Sequence, residues 1–215
     1  MITEEHLIIL QRVAAHWDGA EFVIKSAETI RGEVVLPSIN ELRYAGRRLV
    51  DAILVAGGKS LDQARSTDEQ INSFAIEAEQ FCVRAQHDAV DASVLYLKNH
   101  TKLLADKFGM DEVVSHCPEY IPMCIALDEI ADLIADSRRE RHLRMETYVD
   151  IVKNQFPVIL NKYKTLLYGE NILILARKKS AYESKSKRFL FWVSISGLTI
   201  GVITLVDKIY THFVK

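Results

Sequence analysis

Residues 189–206 read FLFWVSISGLTIGVITLV, eighteen residues without a formal charge, and the stretch that enters them, Arg177 to Arg188, is rich in lysine and arginine. A helix of about eighteen such residues just crosses the hydrocarbon core of a bilayer, so the segment is predicted to be a single transmembrane helix. Everything before it is charged and amphipathic. The chain therefore divides into a helical bundle over residues 1–170, a basic juxtamembrane helix over 171–188, a membrane helix over 189–206 and a short tail over 207–215. Arg177, Lys178, Lys179, Lys185, Lys187 and Arg188 are expected to meet anionic lipid headgroups, each adding roughly 1 kcal/mol near the surface. Their position also places the bundle on the cytoplasmic side by the positive-inside rule.

Within the apolar segment Gly197 and Gly201 have GxxxG spacing, and Ser194 and Thr204 fall on the same helical face. A seam of small residues lets helix backbones approach closely, so this face is the expected surface for self-association. Phe189, Phe191 and Trp192 at one boundary and Tyr210 and Phe213 at the other read as interfacial anchors.

The N-terminus, MITEEHLIILQRV, opens with acids and has neither the basic start nor the cleavage site of a signal peptide. A net charge of −2 argues against a general nucleic-acid binder, and DNA is not an expected partner. Cys82, Cys117 and Cys124 are three and lack CxxC spacing, which fits a reduced compartment better than a disulfide framework or a zinc site.

The four prolines, 37, 118, 122 and 157, leave long stretches without alternating β-branched residues, so the fold class is all-α. The first helix is expected over about residues 3–30, on the stripe Leu10, Val13, Ala14, Trp17, Ala20 and Ile24. A second is expected to open with a Ser38/Glu41 capping box, bury Ile39, Leu42, Ala45, Leu49 and Ile53, and end at Gly57 and Gly58. A third, from a Thr67 to Gln70 box, carries Ile71, Phe74, Ala78, Phe81, Cys82, Ala85, Ala89 and Ala92 into the core. A fourth runs from the Pro118/Pro122 connection through Tyr148 and bends near Pro157, with a further break at Gly169.

Polar residues cluster on these helices. Asn40, Arg43 and Arg47 share one face of the second helix and Tyr44, Arg48 and Asp51 the next, while the third presents Arg84, His87, Asp88 and Asp91. The stripe Ile134, Arg138, Arg141, Met145, Tyr148 and Val152 sets two arginines in line with core residues, and an arginine there needs an acid. Asp88, Asp91 and Glu41 are the candidates, because an unpaired buried charge costs several kcal/mol. An ion-paired layer of Asn40, Glu41, Arg43, Arg48, Arg84, Asp88, Arg138 and Arg141 is therefore expected to fix helix register. The histidines show no HxxxH or HExxH spacing, and phosphate-binding and nucleophile motifs are missing, so no catalytic residue, metal or cofactor is expected.

The patches NELRYAGRR (40–48), VRAQHDAVDA (83–92) and ADSRRERHLRMETY (135–148) resemble small bacterial helical proteins of the HEPN-like kind, and among them the membrane-associated accessory family of RNA-targeting type VI CRISPR systems. The resemblance implies a HEPN-like cytosolic bundle, assembly into a homo-oligomer, a pore in the bacterial inner membrane and a role in antiphage defence. It also implies membrane lipids and an RNA-guided effector or another defence protein as partners. Arg43 matches the family arginine, while Arg48 occupies the histidine position. A guanidinium cannot shuttle protons as a neutral imidazole does, so an enzyme is not expected. The alternatives are a tethered HEPN-like ribonuclease using Arg43, Arg138 and His142, and a tethered adaptor that recruits a partner protein.

Overall fold

The computed structural model describes residues 3–140 and 142–213, with every side chain in those spans except 181, 184 and 196–213. The described chain is helical with no strand: α1 Glu4–Arg31, α2 Leu36–Ala56, α3 Thr67–Phe108, α4 Met110–His116, α5 Tyr120–Arg139, α6 Arg144–Asp150, a π turn Ile151–Gln155 and α7 Phe156–Phe213.

Short side chains explain why α3 is the spine. Ala75, Ala78, Cys82, Ala85, Ala89 and Ser93 are all buried on it, and they let α1 and α2 lie close along its N-terminal half. Gln86 uses that proximity, donating to the His16 carbonyl at 2.8 Å, and a Cβ on Gly19 would stand only 2.9 Å from its amide nitrogen. The C-terminal half of α3 joins α1, α5, the π turn and α7 in the main core around Leu97, Met123, Leu127, Ile130, Ile151, Phe156, Ile159 and Leu166. Each such side chain contributes about 1.5–3 kcal/mol on burial.

The helix starts differ from expectation in an instructive way. Pro37 lies in the first turn of α2, so Ser38 is already helical and its buried hydroxyl, instead of capping, has no partner. The buried face of α2 is accordingly Ala45, Ala52 and Val55, flanked by Leu42 and Leu49, with Ile39 38% and Ile53 64% exposed. On α3 the box is Ser66/Glu69, one residue before the expected one. Gln70 serves the preceding loop: it accepts from the Leu61 and Asp62 amides, both at 3.0 Å, and donates to the Asp62 and Arg65 carbonyls at 2.7 and 3.0 Å.

The expected fourth helix is three pieces. Over residues 138–142 the chain offers only charged or ionisable side chains and no apolar position to bury, so α5 ends at Arg139 and a turn returns α6 to the core. The bend near Pro157 takes the form of the π turn, in which the Phe156 amide reaches back to the Ile151 carbonyl. Proline lacks an N–H and crowds the preceding turn, which a π turn accommodates. Gly169 does not break α7. It is where α7 crosses the end of α4, and a Cβ there would meet Cys117 Sγ at 2.5 Å and the His116 carbonyl oxygen at 2.9 Å.

From Phe156 α7 continues for 58 residues, about 87 Å at 1.5 Å per residue. Among the described residues no helix is long and apolar enough to cross a membrane. The expected membrane segment passes beyond residue 195, and the side chains at 197, 201 and 204, with Arg141 of the expected polar layer, lie outside the described residues.

Gly169→Ala is expected to destabilise the protein by about 1–3 kcal/mol, because backbone on α4 must move to admit the methyl group. Thermal unfolding of the full chain in detergent reads this as a loss of several degrees in Tm, and an unchanged Tm contradicts the crossing.

Candidate functional site

Arginines on α2 and α3 pair between the two helices. Arg48 reaches Glu77 at 2.8 Å and Asp51 at 3.1 Å, while Arg84 stands 3.4 Å from Glu41 and 4.3 Å above the Phe81 ring. Asp51 is buried and also meets Arg47 at 3.0 Å. These contacts link the two helices along a partly exposed edge. Asn40 and Arg43 take no part: both are exposed, and Arg43 rests over its neighbour Tyr44.

A second group forms where α6 and the end of α5 return to α3. Asp91 accepts from Arg138 and from the Tyr148 hydroxyl, each at 2.6 Å, one through each carboxylate oxygen. Asp91 is thus the acid that Arg138 meets, although Arg138 is 58% exposed rather than buried on its stripe. Tyr148 is 1% exposed, and its ring packs on His87 with centroids 3.7 Å apart. Burial, the bond to Asp91 and its charge all push the Tyr148 hydroxyl above its ordinary pKa, so it stays a donor.

His87 is 5% exposed and its Nε2 has no hydrogen-bond partner. Burial first, then the Arg144 guanidinium, pushes the imidazole down to about 4 against a smaller upward pull from Asp91. Asp88 moves the other way, raised by burial and by Asp91 and held back by Arg144 and Arg84. Arg144 stands 5.8 Å over the Tyr148 ring, its Nε is buried without a partner, and among the described residues no carboxylate pairs with it.

His87 and Arg144 line one groove of about 460 Å³ between α3 and α6. Ile76, Val83 and Met145 supply apolar wall, and Arg84, Gln80 and Glu79 the remaining polar lining. Glu79 is already held by Arg12 at 3.1 Å and His16 at 3.4 Å. Chemically the groove offers guanidinium donors, one neutral imidazole and apolar surface. Among the described residues no group of His, Cys, Asp and Glu could hold a metal ion.

Of the expected layer, Glu41, Arg48 and Arg84 gather on the α2 side of α3, and Asp88 and Arg138 belong to the Asp91 group. No described contact joins Arg43, Arg138 and His142, the trio that a ribonuclease reading needs. Along α7 Lys178, Lys179, Lys185, Lys187 and Arg188 are exposed. Arg177, also exposed, bonds inward to the Lys107 carbonyl at 2.9 Å, in the last turn of α3, where a cation meets the helix dipole favourably. Sequence reasoning missed Arg144, and it placed His87 beside Arg84, Asp88 and Asp91 without giving it a role, because His87 carries no motif. The one available signal was the pair Gln86–His87 inside an alanine-rich run of α3, polar residues where the helix is buried nearly all round.

Lowering a histidine pKa by folding makes stability depend on acid. Unfolded His87 takes up its proton near 6.5 and folded His87 near 4, so below about 6.5 the unfolded state binds more protons and stability falls as the pH drops toward 4. The loss is expected to reach at most about 3 kcal/mol. His87→Phe keeps the ring packing and is expected to remove most of this slope in denaturant titrations between pH 7 and pH 4.5; an equally steep variant contradicts the assignment. Asp91→Ala leaves the buried Tyr148 hydroxyl unpaired and is expected to cost about 1–3 kcal/mol in the same assay.

Compared with protein-family models, curated proteins and solved structures, the chain matches none, so the functional reading stands on α7 and on the α3/α6 groove.

Proposed function

We propose that this chain is a single-pass protein of the bacterial inner membrane, with its bundle in the cytoplasm and its C-terminal helices assembling into a pore or membrane-disrupting cluster. The observation that carries the reading is the described start of the apolar segment. Phe189, Leu190, Phe191, Trp192 and Val193 are 68, 59, 63, 64 and 52% exposed, and Ile195 is 39% exposed. Successive residues step by 100° around a helix, so these side chains present apolar surface on every side. Transferring five or six of them out of water contributes on the order of 10 kcal/mol.

Neighbouring chemistry agrees. The exposed cations Lys178, Lys179, Lys185, Lys187 and Arg188 precede the apolar band on the same helix, where anionic headgroups would meet them. The helix is rooted in the core by Phe156, Ile159, Tyr163 and Leu166, so the apolar segment continues a helix that starts inside the bundle. Self-association through Ser194, Gly197, Gly201 and Thr204 would gather several such helices and could open the bilayer. The HEPN-like resemblance supplies the biological setting, a non-enzymatic effector in CRISPR-associated antiphage defence that works beside an RNA-guided effector or another defence protein.

Gly197→Leu combined with Gly201→Leu is expected to reduce the mass of the detergent-solubilised full chain, read by light scattering, and to abolish dye leakage from cells expressing it. Unchanged mass and leakage at equal membrane expression contradict the seam. An unrelated membrane helix in place of residues 189–206 is expected to keep localisation and lose leakage, and retained leakage favours the tethered-adaptor reading.

A further inference from the structure

We propose that the groove between α3 and α6 is a binding site for a small phosphorylated molecule with an apolar or flat body, of the size of a mononucleotide. Two buried polar atoms are left without partners on side chains that line this groove, His87 Nε2 on α3 and Arg144 Nε on α6. Buried polar groups in folded proteins are nearly always paired, so two orphans lining one groove point to an outside partner. Both orphans fit acceptor oxygens: Arg144 is always a donor, and a neutral imidazole donates from one of its nitrogens.

Charge points the same way. Arg144 has no carboxylate partner among the described residues, and Arg84 across the groove meets Glu41 through Nε, with no protein partner described for its two terminal nitrogens. A phosphomonoester carries nearly two charges and three acceptor oxygens, which suits two guanidiniums better than a carboxylate does. Glu79, the carboxylate in the lining, is occupied by Arg12 and His16 at 3.1 and 3.4 Å and leaves the arginine end of the groove free for an anion.

The rest of the wall defines the body of the ligand. Ile76 and Met145 are 42% and 44% exposed at the groove, with Val83 beside them and the Gln80 amide available to a polar edge. A volume of about 460 Å³ lies within the range of small-molecule sites and leaves room for a nucleoside beyond the phosphate. Arg144 and Met145 belong to α6, so an occupant would touch the element that leads through the π turn into α7. The binding claim itself is independent of whether α7 enters a membrane.

Isothermal titration of the full chain in detergent with AMP, GMP, CMP and UMP, and separately with inorganic phosphate, tests the site. At least one mononucleotide is expected to bind saturably and more tightly than phosphate. Arg144→Ala and Arg84→Ala are each expected to weaken it by about tenfold or more, a difference that titration resolves. Arg139→Ala, at a side chain 80% exposed and paired with Asp136, is expected to leave binding unchanged. If Arg144→Ala fails to fold, Arg84→Ala carries the test, because that side chain is 52% exposed. Failure of all four mononucleotides to bind overturns the proposal. So does binding that the folded arginine variants leave intact, or phosphate binding as tight as any nucleotide.

Discussion

Close approach along the small-residue face of α3 governs the rest of the molecule, because it decides which side chains are taken out of water and which partners they then find. With alanines, Cys82 and Ser93 on that face, α1 and α2 come near enough for Gln86 to reach a carbonyl on α1 and for Arg48 and Arg84 to find acids across the α2–α3 seam. The same tightness pushes the Cys82 thiol up to about 12, chiefly by desolvation, so that it behaves as a small apolar group. Beside α6, His87 is left only 5% exposed. An imidazole pressed against a buried tyrosine, with an arginine nearby, stays neutral and keeps a nitrogen unpaired. Such a cost is usually tolerated where a site needs the group, and this is the physical basis for reading the groove as functional.

The second constraint is the continuity of the chain from α6 to the C-terminal end of α7. Pro157 would ordinarily break a helix, but it falls in the first turn of α7, where a missing N–H costs little, and the π turn absorbs the mismatch before it. Gly169 then lets α7 pass over the end of α4 without displacement, and Arg177 clamps α7 to the last turn of α3. These three devices carry one continuous helix from the bundle to the exposed aromatic and aliphatic side chains at 189–193 and 195.

Much of the fold was legible in the sequence. Helical periodicity, the Gly57–Gly58 stop and the small-residue stripe on α3 give the all-α class and the first three helices nearly as they stand. Local signals failed where they are ambiguous. Glycine at 169 serves by lacking a Cβ, which sequence cannot distinguish from a chain break. Ser38 looks like a cap, yet Pro37 has already started the helix. The end of α5 has no proline or glycine to announce it, because its cause is the lack of an apolar face. At the site, an acidic partner for Arg138 could be read from its stripe and Asp91 is that partner, but the burial that the stripe implied is not there, since Arg138 is 58% exposed. The importance of His87 and Arg144 could not be read, because it arises from tertiary burial and from partners that are missing.

The most direct test of the account is oxygen accessibility of nitroxide labels introduced one at a time along residues 180–200, in the full chain reconstituted into liposomes with Cys124 replaced by serine. Labels before Arg188 are expected to report water, and those from Phe189 onward to report oxygen accessibility that rises with depth on every face of the helix. Water-like accessibility throughout residues 189–200 would contradict a bundle carried on a membrane-inserted helix.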